Sequence, residues 1–121
     1  MTGKKILIID DEQEIIEVIT PALENHGYRV LSANDGLEGF KRILNDEPDL
    51  VLLDIKMPKV DGYTLCQMIK GNEKIKHIPV IMLSAKTQEA DILEGKKSGA
   101  ADYIIKPFEI KKVLETIGTF L

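Results

Sequence analysis

The stretch Leu50-Val51-Leu52-Leu53-Asp54 decides the fold, because four continuous apolar residues lead directly into an acid. A run of this length without polar alternation is typical of a strand that is covered on both faces. Similar short runs recur along the chain. The five predicted strands are Ile6–Ile9, Tyr28–Ser32, Leu50–Leu53, Val80–Leu83 and Ala101–Ile105.

Longer amphipathic segments alternate with these strands, at about 12–25, 36–46, 62–74, 87–98 and 108–120. Five successive βα units predict a parallel sheet with helices on both faces. The chain has 121 residues, which fits a single domain spanning 1–121.

Turn and cap residues refine the predicted first helix. Asp11 is expected to cap its N-terminus, with Glu14 completing a capping box, and Gly27 is expected to follow its end. Pro21 lies inside this segment and predicts a kink or an early break.

Composition narrows the functional classes. The formal net charge of −4 argues against a nucleic-acid-binding surface, which needs clustered Lys and Arg. No apolar run approaches the ~20 residues that cross a bilayer. The single cysteine, Cys66, lies at helical spacing among apolar residues and is predicted to be a buried thiol. We expect a cytoplasmic protein.

Polar side chains follow four of the predicted strands. Asp10 and Asp11 follow the first, Asp54 the third, Ser84 the fourth and Lys106 the fifth. In open α/β sheets ligands bind outside the carboxyl ends of the strands, so these side chains are expected to meet. Three close carboxylates repel one another, and a divalent cation together with Lys106 would neutralise them. Oxygen ligands without Cys or His favour Mg²⁺, or Mn²⁺, over zinc or copper.

Other phosphate-binding and catalytic designs do not fit the sequence. An acidic Asp10-Asp11-Glu12 run follows the first strand, where a dinucleotide-binding fold would have a Gly-rich turn. The chain has no G-x-x-x-x-G-K-[ST] motif. His26 and His77 fall away from the strand ends, so a Ser-His-Asp arrangement is not expected either, and both are predicted to be surface residues.

Four motifs taken together resemble bacterial two-component response-regulator receiver domains, over essentially the whole chain. They are Ile8-Ile9-Asp10-Asp11-Glu12, Leu52-Leu53-Asp54-Ile55-Lys56-Met57-Pro58-Lys59-Val60-Asp61-Gly62, Met82-Leu83-Ser84-Ala85 and Lys106-Pro107-Phe108. The resemblance implies a flavodoxin-like, doubly wound (βα)5 sheet with strand order 2-1-3-4-5, an order for which a chemotaxis receiver is a standard example.

The resemblance also implies a role for each site residue. Asp54 would be the phosphoacceptor, with Lys106 and Ser84 binding phosphoryl oxygens and Ala85 leaving the site accessible. Mg²⁺ would be bound by Asp11, Asp54 and the backbone carbonyl of Lys56, and by Asp10 through water. Ser84 and Tyr103 would switch a face built from the fourth helix, the fifth strand and the fifth helix. A cis peptide bond is implied before Pro107. The plainer alternatives are a helix cap for Asp11, a strand-end hydroxyl for Ser84 and surface positions for Lys106 and Tyr103.

The implied function is Mg²⁺-dependent transfer of a phosphoryl group from a histidine kinase, or from a phosphotransfer protein, to Asp54. The domain would be a signalling module that catalyses only its own phosphorylation and dephosphorylation. Its output would be a downstream protein or a fused domain, with no direct contact to nucleic acid or membrane, and a phosphorylation-dependent homodimer is compatible with the family. A stand-alone regulator and a fragment of a longer protein both fit. The rivals are a degenerate receiver that only binds partners, which would have lost a site residue, and a flavodoxin-like or dehalogenase-like enzyme.

Overall fold

The computed structural model describes residues 3–57, 59–85 and 97–121, and these ranges contain five strands and four helices. The strands form one parallel sheet in the order β2-β1-β3-β4-β5, as the sequence resemblance implied. The predicted helix at 87–98 lies outside the described residues, apart from Lys97 and Ser98. The elements are β1 (Lys5–Ile9), α1 (Gln13–Asn25), β2 (Arg29–Ala33), α2 (Gly36–Asp46), β3 (Leu50–Asp54), α3 (Gly62–Lys70), β4 (Val80–Ser84), β5 (Asp102–Ile105) and α4 (Ile110–Phe120).

The sheet has a hydrophobic core on each face, because successive strand residues point to opposite sides. On one side Leu7, Leu53 and Met82 pack with residues of α2 and α3. On the other side Ile8 and Leu52 pack with residues of α1 and α4. Strands β3 and β4 are buried along their whole length, as their continuous apolar sequences predicted. No described helix has the length and apolar character that a bilayer span requires.

The predicted cap of α1 was wrong, and of the two alternatives at Pro21 the early break does not occur. The helix begins after Glu12, so Asp11 lies one residue too early to cap it, and Glu12 makes no side-chain cap bond. The capping box with Glu14 therefore does not form, and Asp10 accepts the N–H of Glu12 at 2.9 Å instead. The helix also does not break at Pro21 but continues to Asn25. Pro21 is exposed, so water can bind the carbonyl that loses its helical partner.

Helix α3 is shorter than predicted, because it ends at Lys70 with Gly71 as its C-cap. The Asn72 side chain then accepts the N–H of Lys74 at 2.9 Å, a local bond that competes with helix formation. Ile75 is nevertheless fully buried in the turn that follows. Because Ile75 is apolar and buried beyond the C-cap, the apolar pattern of the sequence continued past the true end of the helix and predicted a segment to 74.

Helix α3 begins in direct contact with the end of β3. A Cβ on Gly62 would lie 2.5 Å from the Asp54 carbonyl oxygen and 2.7 Å from the Ile55 Cα. The N–H of Gly62 also donates to the Ile55 carbonyl at 2.8 Å. A glycine at this position therefore lets the start of α3 lie directly against the carboxyl end of β3.

We expect Gly62→Ala to destabilise the fold by about 2 kcal/mol, because the methyl group would meet backbone atoms that cannot rotate away. Urea unfolding of the two proteins measures the difference. Gly118→Ala is the matched control, since a Cβ there has no heavy atom within 4 Å and the residue lies in α4. The control is expected to gain up to ~1 kcal/mol from helix propensity. Equal effects of the two substitutions would show that the α3–β3 contact is not tight.

Candidate functional site

Groups from the ends of three strands meet at the carboxyl edge of the sheet. Asp10 follows β1, Asp54 ends β3 and Lys106 follows β5. The Nζ of Lys106 lies 3.2 Å from Asp10 Oδ2 and 3.2 Å from Asp54 Oδ1. The predicted convergence of these three side chains is thus present, and Lys106 is not a surface lysine, since only 13% of its side chain is exposed.

Four acids form one cluster around this point. Asp10, Asp11, Glu12 and Asp54 each offer a carboxylate oxygen, and these oxygens lie within 4.8 Å of one another. Asp10 and Asp54 are buried, whereas Asp11 and Glu12 are exposed. Hard divalent cations such as Mg²⁺ prefer an oxygen-only donor set of this kind.

The electrostatics of the cluster show an excess of negative charge. Burial and the neighbouring Asp10 raise the pKa of Asp54 to about 7, although Lys106 opposes the shift. Burial also raises the pKa of Asp10, against the hydrogen bond from Glu12 and the charge of Lys106. Burial alone would lower the pKa of Lys106, but Asp10 and Asp54 outweigh it and raise that pKa. One ammonium therefore does not neutralise the buried carboxylates, and a bound cation would complete the balance.

This imbalance predicts a pH-dependent stability in the absence of divalent ions. The Asp54 pKa is about 7 in the folded protein, against the ordinary aspartate value of 3.8. The native state therefore binds the Asp54 proton more tightly, and this contribution is lost as pH rises from about 4 through about 7. In EDTA, we expect Asp54→Asn to become more stable than wild type by a few kcal/mol at pH 8, at about 1.4 kcal/mol per pKa unit.

Urea unfolding of both proteins at pH 5 and pH 8 measures this difference. The advantage of Asp54→Asn should shrink at pH 5 and should also shrink when Mg²⁺ is added. If the difference in unfolding free energy between the two proteins did not change with pH, ionisation of Asp54 would not be what destabilises the wild type.

Two cavities lie at this edge of the sheet, and Asp54 lines one of them. One, of about 220 Å³, is lined by Ser84, Ala85, Lys106, Glu12, Lys56 and Asp54 itself. The other, of about 360 Å³, is lined by residues that include Asp11 and Lys56. Ser84 is the buried last residue of β4, and its carbonyl accepts the Lys106 N–H at 2.6 Å. Lys56 borders both cavities.

Tyr103 lies outside both cavity linings. It is half-buried in β5 and packs against the same core cluster as Met82 of β4. The Lys106–Pro107 peptide bond is cis, as expected. Cys66 is fully buried, and His26 and His77 are exposed, also as predicted.

Glu12 is a member of the cluster that was not predicted from sequence. Its Oε1 lies 3.5 Å from the Lys106 Nζ, and the residue lines the smaller cavity. The signal was the third acid of Asp10-Asp11-Glu12. An acid at the start of a helix is commonly a solvated first-turn residue, so that position alone did not indicate a site.

Comparison with known proteins decides the family. The family described as the response regulator receiver domain matches residues 6–118. The chain belongs to this family. It is therefore a receiver domain of the two-component type, which is a signalling domain whose function is that of a phosphoacceptor.

The receiver domain has relatives of two lengths. It is 42% identical over 117 residues to the "DNA-binding dual master transcriptional regulator RpaA" of Synechocystis, covering 97% of this chain and 48% of that protein. It thus spans about half the length of such curated relatives. It is 38% identical over 117 residues to "Protein PilH" of Pseudomonas aeruginosa, covering 97% of each chain.

Solved structures agree with the fold. The chemotaxis protein CheY4 of Vibrio cholerae matches with a TM-score of 0.93 at 28% identity, covering 99% of this receiver domain and 100% of that chain. A putative response regulator from Chloroflexus aurantiacus matches with a TM-score of 0.93 at 31% identity, covering 98% of each chain.

Proposed function

We propose that Asp54 accepts a phosphoryl group from the phosphohistidine of a histidine kinase or phosphotransfer protein. In this reaction a carboxylate oxygen of Asp54 forms a bond to phosphorus as the phosphorus–nitrogen bond of the donor breaks. The observation that carries the proposal is the position of the Lys106 ammonium, 3.2 Å from the Asp54 carboxylate on the wall of an open cavity. The transfer joins two anionic partners, so positioning and charge neutralisation supply most of the catalysis.

The acidic cluster fits a magnesium ion, and Mn²⁺ is the alternative. Asp11, Asp54 and the Lys56 carbonyl would hold the ion, and Asp10 would act through water. Its chemistry would be to neutralise the carboxylates and the phosphoryl oxygens. The fit is supported by four acids that share one point and by an Asp54 pKa of about 7, which burial and then the neighbouring Asp10 raise.

The remaining residues would orient the phosphoryl group. The Lys106 ammonium would pair with one phosphoryl oxygen and stabilise charge in the transition state. The Ser84 hydroxyl would donate to another, since Ser84 lines the cavity beside Asp54. Ala85 borders the same cavity and, being small, would leave room for the donor.

Incubation with acetyl phosphate tests the proposal directly. Intact-mass spectrometry is expected to show the gain of one phosphoryl group in Mg²⁺ and no gain in EDTA. A chain that stays unmodified in Mg²⁺ would favour the degenerate, partner-binding receiver. A mass gain that is equal in EDTA would contradict the metal-dependent mechanism.

Ser84 and Tyr103 are proposed to transmit the phosphorylated state, because they belong to the adjacent strands β4 and β5. Ser84 would shift toward the phosphoryl group, and Tyr103 would turn inward behind it. The responding face would combine segment 87–98, of which only Lys97 and Ser98 are described, with β5 and α4. This face is also where a phosphorylation-dependent homodimer would form.

We expect Tyr103→Ala to accept the phosphoryl group at the wild-type rate but to bind its phosphorylation-dependent partner at least tenfold more weakly. Truncation removes the ring without touching the cavity. Mass spectrometry measures phosphorylation, and calorimetry with the partner, or sedimentation where the partner is a second copy, measures binding. Equal affinities of phosphorylated mutant and wild type would refute the role.

We further propose that residues 1–121 form one receiver domain, which acts in the cytoplasm and catalyses only its own phosphorylation and dephosphorylation. Its output would be a separate protein or a fused domain. Relatives of both lengths support either arrangement. The fully buried Cys66 thiol fits a reducing compartment.

A further inference from the structure

The contacts of Lys106 leave little room for a phosphoryl group. An ammonium has three N–H donors. The Nζ of Lys106 donates hydrogen bonds to Asp10 and Asp54, each at 3.2 Å, and the Glu12 carboxylate lies 3.5 Å away as a longer ion-pair contact. A phosphoryl oxygen that approaches this ammonium through the cavity would therefore compete with the Glu12 carboxylate, which borders the same cavity.

The three carboxylates differ in how easily they can withdraw. The Asp10 side chain is fully buried and also accepts the Glu12 N–H at 2.9 Å. The Asp54 side chain is 6% exposed and is itself the phosphoacceptor. The Glu12 side chain is 60% exposed, so water can solvate its carboxylate once it leaves Lys106.

The Glu12 side chain is also not used by the helix that it precedes. It occupies the N-cap position of α1 without making a cap hydrogen bond. Its carboxylate instead borders the cavity that Asp54, Ser84 and Lys106 line. Within the described residues, the Glu12 carboxylate pairs with Lys106, and this contact lies where the phosphoryl group would enter.

We propose that Glu12 is a positioning residue whose carboxylate lies against the Lys106 ammonium in the unphosphorylated protein and moves aside when a phosphoryl group enters. This inference rests on the proposed function. The Glu12 carboxylate competes with the incoming phosphoryl oxygens for one ammonium. The contact between Glu12 and Lys106 stabilises the unphosphorylated site and slows its phosphorylation.

Two substitutions separate the contact from the charge. Glu12→Gln keeps the length of the side chain and removes its charge. Glu12→Asp keeps the charge but is one methylene shorter, which withdraws the carboxylate from Lys106. Glu14→Gln is the matched control, because it makes the same charge change on an exposed residue in the first turn of α1.

The first measurement is the rate of phosphorylation by acetyl phosphate in Mg²⁺, followed by intact mass. We expect Glu12→Gln and Glu12→Asp each to react about threefold to fivefold faster than wild type, as fits release of a partly exposed ion pair. Glu14→Gln should react at the wild-type rate. Acceleration in Glu12→Gln with a wild-type rate in Glu12→Asp would overturn the proposal, because repulsion by charge alone would then suffice. Equal rates in all four proteins, or equal acceleration in Glu14→Gln, would also overturn it.

The second measurement does not require phosphorylation. Trace acetylation of amines by acetic anhydride, mapped by peptide mass spectrometry, reports how firmly each lysine is held. Lys106 should be labelled at least twofold faster in Glu12→Gln and Glu12→Asp, but not in Glu14→Gln. Unchanged labelling would overturn the inference even where phosphorylation proceeds normally. If wild type is not phosphorylated, the proposed function fails, and the labelling still decides whether Glu12 holds Lys106.

Discussion

Asp54→Asn is expected to abolish the gain of a phosphoryl group from acetyl phosphate and Mg²⁺. The substitution keeps the shape of the side chain at the end of β3 but replaces the nucleophilic carboxylate by an amide. Asp10 cannot readily take over, because it is fully buried and both of its oxygens accept hydrogen bonds, from Glu12 and Lys106. Intact mass after a fixed incubation measures the loss.

Glu17→Gln is a suitable control for Asp54→Asn, since Glu17 is an exposed acid on α1 that lines neither cavity beside Asp54. It should be modified as fully as wild type. A full mass gain in Asp54→Asn, mapped to another residue, would assign the phosphoacceptor elsewhere. The fold of the variant is verified by its unfolding curve, which is expected to show higher stability than wild type in EDTA.

Lys106→Met is expected to have the second-largest effect. Methionine retains much of the side-chain volume but leaves Asp10 and Asp54 close together with no cation between them. Removing one partner of a buried ion pair costs about 3–5 kcal/mol. We expect a loss of this size at pH 8 in EDTA, and a smaller loss at pH 5, where the Asp54 carboxyl, with its pKa of about 7, is protonated in the folded protein. The phosphorylation rate should fall by about 10²-fold or more, because a charge-stabilising donor is lost.

Lys76→Met controls for the loss of a lysine. Lys76 pairs with Glu73 at 2.9 Å, but the two side chains are 52% and 86% exposed. An exposed pair of this kind contributes at most ~1 kcal/mol. If Lys106→Met were no more harmful than Lys76→Met in urea unfolding and in phosphorylation, Lys106 would not be the cation that balances the site.

The sequence predicted the sheet well because its strands are buried on both faces. Continuous apolar runs predict strands that are covered on both faces, and β3 and β4 are buried along their whole length. Strand ends then place Asp10, Asp54, Ser84 and Lys106 at one edge, since parallel strands have their carboxyl ends together. The strand order itself came from the family motifs, because apolar runs do not specify which strands are neighbours.

The errors fell where local and tertiary effects compete. Aspartate is a common N-cap residue, which is why Asp11 was expected to cap α1. In the structure the Asp10 side chain instead accepts the N–H of Glu12, the residue at the N-cap position. The α3 boundary was missed because Ile75 is buried in a turn at a helical spacing. Glu12 was missed because its side chain contacts Lys106, which is distant in sequence and lies beside it only in the folded protein.

The most direct test of the central claim is a titration of the unphosphorylated ¹⁵N-labelled protein with Mg²⁺, followed by amide NMR shifts. We predict saturable shifts concentrated at 10–12, 54–57 and 106, and a large loss of affinity in Asp54→Asn, because these residues would surround one bound ion. Shifts spread over the surface, or a titration that leaves these residues unchanged, would contradict a metal-assisted phosphoacceptor site at the carboxyl edge of the sheet.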